Sequence, residues 1–240
     1  MGIRNKITAL IAAACVLAVV GSISLNSTSL KAQSLTPTPI GAWFGIARPC
    51  TPGGRFPNPP GTVSQAVCNE ACQGPCPPSD FPVGEVTMIP TLLADGTVLA
   101  DDFAELLDHH STAMGKWQYA GKAVIDGKEL DKYQATFIWF QARSASDVDP
   151  RNPLAIFEGV IRPRFVTFFD PATPDTMRGF IQPYQYIMTD NFGIVGLQPG
   201  SPFPSVDPVA TLPAPCDPTA RTNPRCLGTL TFVIRRIQPR

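Results

Sequence analysis

Two stretches of the chain repeat with a period of two, and that period limits the fold more than any other feature of the sequence. In 132–143 (KYQATFIWFQAR), Tyr133, Ala135, Phe137 and Trp139 alternate with Lys132, Gln134, Thr136 and Ile138. In 228–238, Leu230, Phe232 and Ile234 alternate with Thr229, Thr231 and Val233. Neighbouring side chains of a strand point to opposite faces, so each stretch reads as a strand with one face on a core. No segment beyond the leader keeps apolar residues at helical spacing for three turns; the best helical candidate is 101–108, DDFAELLD. Further strands are predicted over 40–47, 85–93, 97–101, 113–120, 154–169 and 176–188. Asp95-Gly96 and Asp126-Gly127 are tight-hairpin dipeptides, and Asp170-Pro171 with Pro174-Asp175 separates the two longest strands. About eight short antiparallel strands predict a sandwich or a closed barrel. Two segments break the pattern, 48–82 and 198–226; both are rich in Pro and read as long surface loops.

The first 32 residues read as an export signal. Arg4 and Lys6 precede an apolar stretch, and a small-residue cleavage point follows Ala32. The alternative is a retained anchor, because 7–25 holds no charge and is long enough to cross a bilayer. Cleavage leaves one domain, 33–240, secreted or periplasmic, with no stable membrane insertion. It removes three of the 19 basic residues and none of the 19 acidic ones, which leaves a net charge of −3. With no basic run, a nucleic-acid partner has no electrostatic footprint. Hydrophobic residues make up 44% of the chain and charged ones only 16%, which excludes full disorder.

Export also bears on the cysteines. Without Cys15 there remain six, Cys50, Cys68, Cys72, Cys76, Cys216 and Cys226, an even number that predicts three disulfides in an oxidising compartment. Spacing leaves fifteen pairings open. Three closely spaced cysteines do not easily satisfy one another, so one of Cys68, Cys72 and Cys76 is expected to reach Cys50, Cys216 or Cys226 and tie the two ends of the chain together. A zinc site on these three is not expected: the spacing is not C-x2-C and no His lies nearby.

The first strand carries Gly41-Ala42-Trp43 and the last carries Arg235-Arg236. Here the sequence resembles the lipocalin-like, or calycin-like, barrels, in which a first-strand G-x-W sets its Trp at the closed end under an Arg of the last strand. Arg236 shares the parity of Leu230, Phe232 and Ile234, so the resemblance implies a cation over the Trp43 ring. Three further stretches, 88–102 (MIPTLLADGTVLADD), 112–121 (TAMGKWQYAG) and 135–143 (ATFIWFQAR), are similar to a group of secreted bacterial lipocalin-like proteins. Met114 stands where those proteins tend to carry a His before the second G-x-W. The expected fold is therefore an all-β, antiparallel lipocalin-like barrel of about eight strands with two long disulfide-bearing loops.

Sites of chemistry are scarce. His109 and His110 follow Asp101, Asp102, Glu105 and Asp108, but adjacent residues of an extended chain face apart, so a solvated connection is the expected reading. Asp147, Asp149 and Glu158 imitate a calcium loop that lacks its turn glycine and places Arg151 at a ligand position. No nucleophile elbow, metalloprotease helix or phosphate loop occurs in the mature chain. No metal and no cofactor are expected. The remaining candidate is the barrel interior, lined by Trp117, Tyr119, Tyr133, Phe137 and Trp139, with Arg164 and Tyr184 added if their parity faces inward. The leading expectation is carriage of a small, largely apolar ligand. An isomerase or cyclase-type barrel enzyme is one alternative, marked by an inward pair such as Glu158 with Arg164. A structural or cell-surface protein with a filled barrel is the other.

Overall fold

The computed structural model describes residues 37–50, 64–79, 85–102, 111–142, 157–187, 216–220 and 224–238. Its strands are β1 (Gly41–Pro49), β2 (Val86–Leu92), β3 (Thr97–Asp102), β4 (Ala113–Ile125), β5 (Lys128–Ala142), β6 (Phe157–Phe169), β7 (Thr176–Ile187), β8 (Arg225–Cys226) and β9 (Leu230–Arg236). β1 to β7 form an antiparallel meander in which each strand pairs with the next. β9 then pairs with both β7 and β1, which closes an eight-strand barrel. The two-residue β8 lies on the same edge of β7 as β9, so together they follow one strand path. That path breaks at Leu227–Thr229, where Gly228 has φ +129 and an added Cβ would meet Ser79 Oγ at 2.3 Å.

Local chemistry sets the hairpins. Asp126 and Gly127 both take positive φ, 54° and 74°, as the two-residue β4–β5 turn requires. The β2–β3 turn is held by Asp95, whose carboxylate accepts from Thr97 N at 2.9 Å. The register of β4 slips between Tyr119 and Lys122, which inserts one extra residue against β5. The slip reverses the two faces of β4. Ala113 and Trp117 therefore join the interior core, whereas Ala123 and Ile125 join a second cluster on the outer wall.

A helix, α1 (Gln65–Cys72), lies within the first long loop, where the sequence reading expected no regular element. Ser64 caps it by accepting from Val67 N, and Gln73 ends it at φ 54°. At eight residues it is too short for a three-turn periodicity. Its buried side, Val67 and Ala71, packs outside the barrel on Leu130, Val166, Phe168 and Phe180. Asp101 and Asp102, the start of the stretch predicted to be helical, instead end β3; residues 103–110, with His109 and His110, lie outside the described residues. The calcium-like run 147–153 lies outside them as well.

The disulfides are Cys50–Cys68, Cys72–Cys76 and Cys216–Cys226. Cys68 reaches Cys50, but each bridge is local, with sequence separations of 18, 4 and 10, so none ties the ends of the chain together. Strand pairing does that instead, through seven β1–β9 partners from Trp43↔Arg236 to Pro49↔Leu230.

Arg236 completes the closure. Its guanidinium carbon stands 4.4 Å from the Trp43 ring centroid, and Nη2 donates to Thr38 O at 2.7 Å and to Pro174 O at 3.1 Å. Nη1 donates to Ile40 O, and Nε lies 3.4 Å from the Asp175 carboxylate. One planar fork thus binds the chain before β1, the β6–β7 turn and the core tryptophan, a geometry that an ammonium does not reproduce. Gly41 makes room for it: with φ +135 and Arg236 Nη1 2.9 Å from an added Cβ, this position excludes a side chain.

Arg236→Ala is expected to lower unfolding stability by about 3 kcal/mol in urea titrations, since it strands several partly buried carbonyls as well as removing a charge. Arg236→Lys should recover less than half of that loss.

Candidate functional site

The interior is built by the inward parity of every strand. At the closed end Trp43 meets Phe169 edge-on with centroids 6.5 Å apart, and Tyr133 stands 6.5 Å from Phe169. Trp43 Nε1 donates to Pro39 O at 2.9 Å, so the buried indole is satisfied by the chain that enters β1. Above it Phe165 stacks on Phe232 at 4.8 Å, and Phe137 joins at 5.7 Å from Phe165. Gly179 is required here, because an added Cβ would lie 2.6 Å from the Phe232 ring. Trp43, Phe137, Phe165, Phe169 and Phe232 are each no more than 2% exposed. These rings pack closely against one another.

Phe137 and Trp139 converge toward the mouth as a stacked pair, centroids 5.6 Å apart. Ala47, Ala100 and Ala113 belong to the same cluster, and Gly115 lets the β5 backbone come within 2.0 Å of an added Cβ. The interior is apolar along its length, with Met88, Trp139, Ile161 and Leu230 toward the mouth as well as these alanines. Thr167, between Phe165 and Phe169 on the inward parity of β6, is a buried polar exception whose hydroxyl has no hydrogen-bond partner.

Trp117, Tyr119 and Tyr133 cluster at the closed end, with Trp117 and Tyr133 packed against the core. Their centroids are 5.6 Å apart for Trp117–Tyr133 and 5.5 Å for Tyr119–Tyr133. Trp117 donates Nε1 to Leu93 O at 2.9 Å and so holds the β2–β3 turn. Tyr119 is 53% exposed at the end of the β4–β5 hairpin, away from the mouth.

Arg164 and Tyr184 are not in the interior. Phe165 and Ile181 fill the core, so their neighbours Arg164, Gln182, Arg162 and Tyr184 share the outer face, paired as Arg164↔Gln182 and Arg162↔Tyr184. Parity did not separate the faces because β6 is apolar on both: Val166 and Phe168 belong to the outer cluster. The outer face is nonetheless buried, under α1 and the Cys216–Cys226 loop. Arg162 is 3%, Gln182 1% and Tyr184 2% exposed. Gln182 Nε2 donates to Ala71 O at 3.2 Å and to Thr229 Oγ1 at 3.0 Å, and its carbonyl accepts from Arg164 Nη1 at 3.5 Å. Arg164 also lies 5.3 Å over the Phe180 ring, and Tyr184 packs on Cys216 and Cys226. With Arg164 facing out, the Glu158–Arg164 pair that would mark an enzyme does not form in the interior. This covered polar layer escaped the sequence reading, which offered only lumen or open surface for these residues.

No known protein family, curated protein or solved structure matches the chain.

Two measurements follow from this packing. Burial pushes the Tyr184 phenol from 10.0 up to about 12, against the opposing pull of Arg164. The folded chain thus keeps a proton that the unfolded chain loses, so this contribution to stability is complete below pH 10 and falls as the pH rises toward 12. Absorbance titration should show one phenol, Tyr184, ionising well above the ordinary phenol range, and Tyr184→Phe should flatten the alkaline loss of stability. Thr167→Val should raise stability by about 1 kcal/mol in thermal or urea unfolding, because it replaces an unpaired buried hydroxyl by a methyl group.

Proposed function

We propose that this chain is an exported lipocalin-like barrel, akin to the secreted bacterial group it resembles, that binds a small, planar, largely apolar molecule in the mouth half of its interior. The observation that carries this reading is the stacked Phe137–Trp139 pair on the apolar inner face, above the buried rings of Phe165 and Phe232. The three disulfides support the exported setting. Among the described residues, no helix is long and apolar enough to cross a membrane.

The magnitudes set the ligand class. A ring system of indole or naphthalene size buries roughly 200 Å² of apolar surface, about 5 kcal/mol before the loss of translational and rotational freedom. Binding from this burial alone is therefore no tighter than about 0.2 mM, and specificity comes from ring shape more than from polar contacts. The packed rings of the closed half leave no depth for a long chain beneath Phe137.

The chain has three tryptophans, which makes the test direct. Titration with anilinonaphthalene sulfonate should change the Trp emission saturably in the parent protein and in Trp117→Phe. Ala113→Phe, which fills the mouth, should weaken that binding at least tenfold while the protein stays folded by circular dichroism. An unsaturable response, together with a clean apo mass in native mass spectrometry of protein from its own host, overturns ligand carriage. The Phe165–Phe232 stack at 4.8 Å favours a second reading, a solid barrel that presents its loops to a partner, and that outcome would select it.

A further inference from the structure

We propose that the four cysteines around α1 form a thiol–disulfide relay, in which the half-exposed Cys72–Cys76 bridge passes reducing equivalents from an external dithiol to the buried Cys50–Cys68 bridge.

Three observations carry it. First, the two bridges touch: the sulfurs of Cys50, Cys68 and Cys76 all lie within 4.8 Å of one another, although Cys76 is bonded to Cys72. Second, the chain is shaped to bring this about. Cys68 and Cys72 sit four residues apart on one side of α1, and the left-handed Gln73 and the glycine at 74, φ +154, turn the chain back until Cys76 Sγ lies 3.4 Å from Cys68 O. Third, access is unequal. Cys68 is 1% and Cys50 7% exposed, whereas Cys72 and Cys76 are only half-buried. An external reductant therefore meets Cys72–Cys76 first, and the thiolate it liberates already stands beside the bridge that the reductant does not reach.

The chemistry balances with a dithiol reductant, either a small molecule or a reduced protein dithiol. Its thiolate attacks Cys72–Cys76 and its second thiol resolves the mixed disulfide, so the reductant departs oxidised and Cys72 and Cys76 hold two electrons and two protons. The Cys76 thiolate then attacks the Cys68 sulfur, forming a Cys68–Cys76 bond and expelling the Cys50 thiolate, which takes up a proton. Cys72 attacks the Cys76 sulfur, re-forms Cys72–Cys76 and releases Cys68 as a thiol. In sum, the buried bridge is reduced, the exposed bridge is restored and the external dithiol has become a disulfide.

The relay governs the cover. Cys50–Cys68 fastens α1 to the residue after β1, and α1 shields Phe168, Phe180 and Gln182 on the outer wall. Reducing that bridge frees α1 to lift from an apolar surface while the barrel ladder stays closed.

The test uses the full mature chain. Cys72→Ser leaves Cys76 as a thiol. Non-reducing digestion after Glu70, which separates Cys68 from Cys76, should then reveal a Cys76 cross-link to Cys68 or Cys50 in roughly half of the molecules, as expected for exchange between similar bonds. Recovery of Cys50–Cys68 alone, with Cys76 fully alkylated, overturns the relay. Should Cys72→Ser perturb α1, the parent protein provides the second readout: brief exposure to dithiothreitol followed by acid quenching. A Cys68–Cys76 cross-link should appear in step with the Cys50 thiol and before the Cys68 thiol (or a Cys50–Cys76 cross-link in step with the Cys68 thiol and before the Cys50 thiol), and in Cys72→Ser/Cys76→Ser the Cys50–Cys68 bridge should open at least tenfold more slowly. Opening at equal rates, or with no such cross-link in the parent protein, overturns the relay.

Discussion

The pairing of the first strand with the last is the constraint on which the rest of this structure depends. An eight-strand meander has two open edges, each a row of unpaired backbone groups, and only their union removes both. Here that union runs from Trp43↔Arg236 to Pro49↔Leu230. Arg236 reinforces its closed end by binding Trp43, the chain before β1 and the β6–β7 turn with one side chain. A partly buried guanidinium is expensive to desolvate, and this one is offset by backbone carbonyls, a carboxylate and an aromatic face at once. Because strand pairing already joins the two ends of the chain, no disulfide is needed to span it, and each bridge serves its own loop.

Closure at that end also bears on where the proposed ligand site lies. The aromatic side chains packed in the closed half belong to strands far apart in sequence: Trp43 from β1, Phe165 and Phe169 from β6, and Phe232 from β9. Their mutual packing leaves little compressible space, so the proposed ligand site lies toward the mouth. Long connections leave the barrel at the mouth end, and tight turns occupy the other. This asymmetry suits a rigid floor beneath variable loops.

How much of this was legible follows from the kind of signal each residue carries. Period-two alternation showed β5 and β9, because each has one plainly apolar face, and the hairpin dipeptides Asp95-Gly96 and Asp126-Gly127 showed the turns. The barrel, as opposed to a sandwich, rested on the Trp and Arg of the terminal strands, and their contact is a matter of parity. The outer polar layer was hidden for a physical reason: β6 carries Ile161 and Phe165 on one face and Val166 and Phe168 on the other, so no pattern marks the lumen. Helix α1 was hidden by its length. Its register is visible only once Ser64 is read as a cap for Val67, Cys68 and Ala71, a signal that its proline-rich surroundings obscure. Disulfide connectivity had no sequence signature, because it depends on where Pro49 ends β1 and where the left-handed Gln73 turns the chain back.

The doubled apolar character of β6 and β7 carries the last step. A barrel strand normally shows water its outer face, and a sheet buried on both sides needs a second layer to cover it. Among the described residues, the second layer is one short helix and a cystine loop, elements too small to hold themselves in place by packing alone. A bridge such as Cys50–Cys68 that closes a loop of this length stabilises by about 3 kcal/mol, comparable to burying one large apolar side chain. The cover is therefore held covalently, whereas the barrel is held by its hydrogen-bonded ladder. These two parts respond to different conditions. A reductant acts on the cover and leaves β1 to β9 paired, so the apolar outer wall around Phe168 and Phe180 becomes accessible without unfolding. The redox state of Cys50 and Cys68, more than the stability of the barrel, then sets which of its two apolar faces meets the outside.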